Sequence, residues 1–285
     1  MMDIRAGNAV PVSAMVFTLD EEIHLPACLE SLRWCDDVIV IDSFSKDRTV
    51  KIARDAGARV LQNRFSGFGD QRNWALATAA PRNPWVLILD ADERVPPAMV
   101  GELRERLAGG ADNAAAFRVA RRFYFWRRWL RYASLYPTYV VRLVRWGCVT
   151  YRNRGHAETQ DVRGQLLSLR SDLIDENLKG LGEWFERQNR YSGLEAMHEL
   201  GEERSPLRVS ELSSRDPLIR RAALKRLAAR MPLRPVWYFL YSYVLRGGIL
   251  EGKEGFAYCV LRSIYQGMVA IKKHEMRTAP TRDKP

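Results

Sequence analysis

The sequence has little cysteine and no long apolar run. Its four cysteines, Cys28, Cys35, Cys148 and Cys259, show neither CxxC pairing nor metal-ligand spacing, so they read as buried apolar residues in a reducing compartment. The longest apolar stretch, Val236 to Leu245, is interrupted by Ser242 and falls well short of the ~18–20 residues that span a bilayer. The N-terminus lacks a basic stretch leading into an apolar run and a cleavage site, so no secretory leader is expected. Also missing are the GxxxxGKS phosphate loop, GxGxxG and GxSxG, which leaves the common nucleotide-binding and hydrolase sheets unsupported. Acid is absent from one long segment: residues 117–152 hold nine Arg and eleven aromatics, with no Asp or Glu.

What is present is a chain of 285 residues, 47% of them hydrophobic, enough for one large domain or two small ones with a real core. Lys and Arg number 45 against 34 Asp and Glu, a net charge of +11. Residues 1–116 carry net −4 and residues 117–285 net +15. An acidic front half joined to a basic back half implies two jobs.

The front half alternates strand and helix signals. Val12–Phe17, Val38–Ile41, Arg59–Leu61 and Trp85–Leu89 have strand length and are largely apolar. Between and after them, helical spacing recurs at Leu25–Leu32, about Arg48–Ala56, Gln71–Ala80 and Val100–Leu107, with Asp47 or Ser45 placed to cap the second helix and Gly57 to stop it. Apolar strands with helical crossovers describe an α/β layer around a mainly parallel sheet. On that map Asp20, Asp42 and Asp90 stand at or just past strand C-termini, the edge where open α/β sheets bind ligands. Asp90-Ala91-Asp92-Glu93 directly follows a buried strand. One carboxylate of such an Asp-x-Asp can face a ribose or metal while the other coordinates a hard cation, Mg²⁺ or Mn²⁺, that shares its shell with substrate phosphates.

Three segments carry a resemblance: Thr18-Leu19-Asp20-Glu21-Glu22, Asp42-Ser43-Phe44-Ser45-Lys46-Asp47-Arg48-Thr49, and Asp90-Ala91-Asp92-Glu93. Together they look like the nucleotide-sugar domain of glycosyltransferase family 2, which has the GT-A fold and inverts configuration at the sugar. Gly67-Phe68-Gly69-Asp70-Gln71-Arg72-Asn73 narrows the match to the branch resembling lipopolysaccharide inner-core glucosyltransferases. By that resemblance Thr18, Asp20, Glu21, Asp42, Arg72 and Asp90 would form the nucleotide-sugar site. Thr18 and Asp42 would touch the base, Arg72 would reach base or phosphate, Asp90 the ribose, and Asp92 a divalent metal, Mg or Mn, on the diphosphate. A carboxylate at Asp42 could accept from the N3–H of uracil. The looser match through Gly155-His156-Ala157-Glu158 makes Glu158 the candidate base for the acceptor hydroxyl, and puts His156 on the acceptor side.

The back half carries the expected partners. Pro217–Met231 reads as a basic amphipathic helix, with Arg221, Lys225, Arg226 and Arg230 off an apolar stripe. With the aromatic, Arg-rich segment 117–152 it favours an anionic membrane surface over nucleic acid or plain packing. The expected organisation is residues 1–116 for the nucleotide sugar, 117–210 for the acceptor side, and 211–285 as a helical, membrane-associating extension. The expected activity is metal-dependent transfer, from UDP-glucose, to a lipid-linked saccharide such as a lipopolysaccharide core at the cytoplasmic face of the inner membrane. A polyprenyl-phosphate acceptor, or a noncatalytic nucleotide-binding module, is the alternative; oligomeric state stays open.

Overall fold

A computed structural model describes residues 10–108, 113–155, 157–203, 223, 227 and 231–278. Its described residues group into two compact units, the first containing 10–153 and 157–179 and the second 154–155 together with the described residues from Gly180 onward.

The first unit is built on β1 (Val12–Thr18), β2 (Asp37–Asp42), β3 (Arg59–Gln62) and β4 (Trp85–Asp90), adjacent and all parallel in the order β3-β2-β1-β4. Alternation along β1 sends Val12, Ala14 and Val16 to one face and Met15 to the other, and both faces are buried. On the first face α1 (Leu25–Glu30) and α4 (Pro97–Ala108) contribute Leu25, Cys28, Met99 and Leu103. On the second, α3 (Phe68–Thr78) brings Ala75 under Ile39, Ile41 and Ile88. Each such fully buried aliphatic stabilises the fold by roughly 1.5–3 kcal/mol relative to exposure. The helix α2 (Thr49–Asp55) returns the chain from β2 to β3; Asp47 Oδ1 accepts from Thr49 N at 2.9 Å, a short turn at the entry to the helix.

Beyond β4 the sheet becomes mixed. β5 (Glu93–Arg94), β6 (Ala114–Phe125), β7 (Arg128–Trp129), β8 (Thr138–Arg145), β11 (Gln165–Ser168) and β12 (Leu173–Glu176) complete ten strands, whereas β9 (Val149–Arg154) and β10 (Ala157–Val162) make a separate pair. In the large sheet β8 runs antiparallel to both β4 and β6, whereas β11 and β12 run parallel to β6. This sheet runs through position 116/117 without a break, and the described residues divide into their two compact units at Lys179/Gly180. Arginines of the acid-free segment stand on its strands. Arg121 bonds Asp175, Arg122 bonds Asp172, and Arg142 bonds Asp90 and Glu93. Three of the nine arginines in that segment thus neutralise carboxylates within the fold.

The second unit is helical: α5 (Leu181–Glu203), α6 (Arg234–Phe239), a π-helical turn at Leu240–Leu245, a 3₁₀ turn at Gly248–Glu251, and α7 (Gly252–Thr278). Ala196 of α5 packs on Tyr265 and Val269 of α7. Buried Glu199 joins three helices by accepting from Arg234 Nη1 at 2.8 Å and Lys273 Nζ at 2.9 Å. The amphipathic helix expected over Pro217–Met231, with Arg221, Lys225, Arg226 and Arg230, lies outside the described residues but for Ala223, Leu227 and Met231. No helix among the described residues is long and apolar enough to cross a membrane.

Candidate active site

Parallel pairing gathers the acidic tips. Register sets Asp42 opposite Thr18 and Asp90 opposite Phe17, so three neighbouring strands end at one edge. The Gly67–Asn73 segment then fixes α3 beside that edge. A Cβ on Gly69 would stand 2.9 Å from the Arg152 carbonyl carbon, and one on Gly67, at φ +152, would stand 2.6 Å from Asn153 Nδ2. Glycine therefore permits the close approach. Asn153 Oδ1 accepts from Gly69 N at 2.8 Å, while Asn73 exchanges two bonds with the Tyr151 backbone, at 2.8 and 2.9 Å.

That docking drives Arg72 inward. It is 3% exposed, lies 5.5 Å from the Phe17 ring centroid and 5.8 Å from that of Tyr151, donates from Nη2 to Asp90 Oδ1 at 2.9 Å, and pairs through Nη1 with Glu158. Arg72 thereby joins Asp90 and Glu158, which are distant in sequence. Arg152 and Arg154 instead take Asp161 and Glu202. Arg142, 4% exposed, claims the other Asp90 oxygen at 2.6 Å and Glu93 Oε1 at 2.6 Å. Burial alone would raise the Asp90 carboxyl, but Arg142 and Arg72 outweigh it and hold it well below the usual range.

Asp92 is treated differently. Its one side-chain partner is neutral Asn177, whose Nδ2 donates to Oδ2 at 3.1 Å, and no Lys or Arg pairs with it among the described residues. Burial and repulsion from Asp90 and Glu21 push its carboxyl up. An oxygen ligand with uncompensated negative charge suits a hard cation. Among the described residues no three His, Cys, Asp or Glu side chains cluster to hold a metal by themselves. The donor chemistry fits a hard divalent ion such as Mg²⁺ or Mn²⁺, which Asp92 would hold.

Other expected residues have jobs that spacing does not reveal. Asp42 is 0% exposed and accepts from Thr18 Oγ1 at 3.1 Å, Ser45 N at 3.1 Å, Gln62 Nε2 at 2.9 Å and Ser45 Oγ. Four donors thus occupy this carboxylate and hold the loop after β2 in place. The buried Thr18 hydroxyl is spent on the same carboxylate. Glu21 is likewise committed: Oε1 accepts from Lys179 Nζ at 2.8 Å and Oε2 meets His24 Nδ1 at 2.6 Å. Because His24 Nε2 accepts from Leu178 N at 2.7 Å, the ring proton facing Glu21 sits on Nδ1. Asp20, at φ +54, closes its loop by accepting from Lys46 N at 2.7 Å. His156 lies outside the described residues.

Glu93, Arg142, Asp175 and Asn177 belong to the site but were not expected there. Burial pushes the Asp175 carboxyl up to about 7 against the opposing pull of Arg121, with repulsion from Asp92, Glu93 and Asp90 adding to the rise. The one sequence signal for Arg142 was its place in the acid-free segment.

Three parallel strand tips thus bring Thr18, Asp42, Asp90 and Asp92 to one edge of the sheet, with Arg72 and Arg142 buried beside them. The family model of glycosyl transferase family 2 matches residues 13–172, and the chain belongs to that family. It is 28% identical to the lipopolysaccharide core biosynthesis glycosyltransferase LpsC of Rhizobium meliloti, over 96% of this chain and 97% of that one. It is 31% identical to the undecaprenyl-phosphate 4-deoxy-4-formamido-L-arabinose transferase of Pseudomonas aeruginosa, over 41% of this chain and 38% of that protein. Among solved structures, S. aureus TarS 1-349 in complex with UDP-GlcNAc is similar with a TM-score of 0.47 and 16% identity, over 93% of this chain and 91% of that one. The chain is a glycosyltransferase.

Proposed function

We propose that the protein is an inverting, metal-dependent hexosyltransferase that moves glucose from UDP-glucose to a lipid-linked saccharide of the lipopolysaccharide core, at the cytoplasmic face of the inner membrane. The observation that carries this is the charge asymmetry after β4: Asp90 holds two arginines and Asp92 holds no cation. Likeness to LpsC along nearly the whole of both chains supports the acceptor class.

In this reading Asp92 holds the divalent ion, which when bound offsets the charge of the departing diphosphate. Asp90, whose side chain is 35% exposed, turns its remaining lone pairs to the ribose while Arg72 and Arg142 fix its orientation. Asp42 and Thr18 keep the base loop in shape. Glu158 receives the proton of the acceptor hydroxyl as that oxygen attacks the anomeric carbon opposite the leaving group.

The Arg72–Glu158 pair favours a second reading, because the carboxylate offered as the base is already engaged by a buried guanidinium. A polyprenyl-phosphate acceptor is already ionised and needs none. Incubation with a panel of nucleotide sugars, Mg²⁺ or Mn²⁺, and either deglucosylated lipopolysaccharide core or polyprenyl phosphate separates the two. Nucleotide diphosphate release that rises with the core acceptor supports the first; release that rises only with polyprenyl phosphate supports the second.

A further inference from the structure

We propose that the helical run from Leu233 to Leu250 is a docking face for an anionic lipid surface. This deepens the reading above, on which it rests for the lipid-linked acceptor.

One side of the run is packed. The rings of Phe239 and Tyr243 lie 6.0 and 5.6 Å from that of Phe256 on α7, and Ser263 Oγ donates to Pro235 O at 2.5 Å. Ser242, the polar interruption noted in the sequence, is buried and satisfies its hydroxyl on Tyr238 O at 2.8 Å. The other side is open. Leu233, Trp237, Leu240, Tyr241, Leu245 and Leu250 are 70%, 51%, 40%, 44%, 78% and 69% exposed. From Leu233 to Leu245 they fall at i, i+4, i+7, i+8 and i+12, the positions of one helical side; Leu250 follows on the 3₁₀ turn beyond Gly247. Single exposed apolar residues need no explanation, but a continuous stripe does.

Charge identifies the occupant. Among the described residues 231–253 the basic side chains are Arg234, Arg246 and Lys253 and the acid is Glu251; Arg234 is spent on Glu199 and Glu251 is buried. Arg246 and Lys253 flank the stripe and are exposed. A second copy of the chain would bring its own positive flank against this one, whereas an anionic bilayer attracts it. Trp and Tyr beside Leu suit the headgroup boundary, where an apolar body and a polar tip are both satisfied.

The test uses the full chain with vesicles of phosphatidylcholine alone and of phosphatidylcholine mixed with phosphatidylglycerol, at low and high salt. The proposal expects pelleting with the anionic vesicles, only partly reversed by salt. Changing Trp237, Leu240, Leu245 and Leu250 together to Ser should lower that partition at least about tenfold, since inserted apolar area sets much of such affinity. A direct reading guards against misfolding of the variant: brominated lipid should quench wild-type tryptophan fluorescence, and the single change Trp237→Phe should remove much of that quenching. No pelleting by the wild type, equal pelleting by both proteins, or quenching unchanged in Trp237→Phe would overturn the proposal. So would a wild-type dimer in sedimentation velocity that the Ser variant dissolves without any vesicle binding. Nucleotide diphosphate release measured without vesicles is a separate readout. Its absence from the wild type when metal, nucleotide sugars and the core acceptor are supplied would count against the proposed substrates while leaving lipid binding to stand or fall alone.

Discussion

Arg72 donates to Asp90 Oδ1 across 2.9 Å and meets Glu158 with its other terminal nitrogen. One buried guanidinium thus ties the Asp-x-Asp tip to the candidate base, and it is sandwiched between two rings that keep water from screening it.

The role of Glu158 is read from turnover. Glu158→Gln should leave donor affinity within a few-fold and lower turnover by ~10²–10⁴ if the carboxylate accepts the proton. Steady-state kinetics with the core acceptor check this. A loss below about threefold would take the proton-accepting role from Glu158.

For Asp42 the four bonds add an effect on stability to the one expected on ligand affinity. Asp42→Ala strands the amide of Ser45 and the side chains of Thr18 and Gln62, and should lower unfolding stability by about 2–4 kcal/mol. Chemical denaturation measures it. An unchanged midpoint together with weakened UDP binding would leave direct base recognition alone as its role.

The front half was legible because its strands are apolar runs buried on both faces, and periodicity reports such strands well. Placing Asp42 and Asp90 at one edge followed from parallel pairing alone. What escaped was set by long-range charge. The strand β12 reads Leu-Ile-Asp-Glu, too short and too acidic to register, yet its acids are answered by Arg121 and Arg94, at 2.9 and 2.5 Å. Arg142 was counted into a membrane-facing segment because sequence shows its neighbours in the chain and not Glu93, which the fold brings to it from the start of β5. Asp42 lay where expected, but the number of donors around it depends on Gln62 and Ser45, which no spacing rule singles out.

Acid should expose the linkage at Asp37. Burial alone would raise this carboxyl, but Arg82 N at 2.8 Å, Ser13 Oγ at 2.6 Å and the Arg59 guanidinium at 2.9 Å lower it on balance. A depressed folded-state pKa contributes stability that is present above the unfolded value and lost as pH falls through the folded one. At neutral pH Asp37→Asn should therefore cost about 1.5–3 kcal/mol. The gap to wild type should narrow below about pH 4, the unfolded carboxylate value. Urea midpoints across that range check it; a gap of constant size would refute the linkage.

The central claim is that Asp92 keeps its negative charge uncompensated in order to hold a cation for the departing diphosphate. Such a charge, pressed by Asp90 and Glu21, should be a burden to the fold when no metal is bound. Asp92→Asn should therefore match or exceed the wild type in thermal stability without metal. It should also lose more than about 10²-fold in metal-dependent nucleotide diphosphate release, the scale of a several-kcal/mol electrostatic contribution. Melting temperature and diphosphate release, measured on both proteins with and without Mn²⁺, give the answer in one experiment. The account predicts a stable, inactive variant whose melting temperature no longer responds to Mn²⁺ with UDP. A variant that turns over like the wild type, with the same metal dependence, would contradict it.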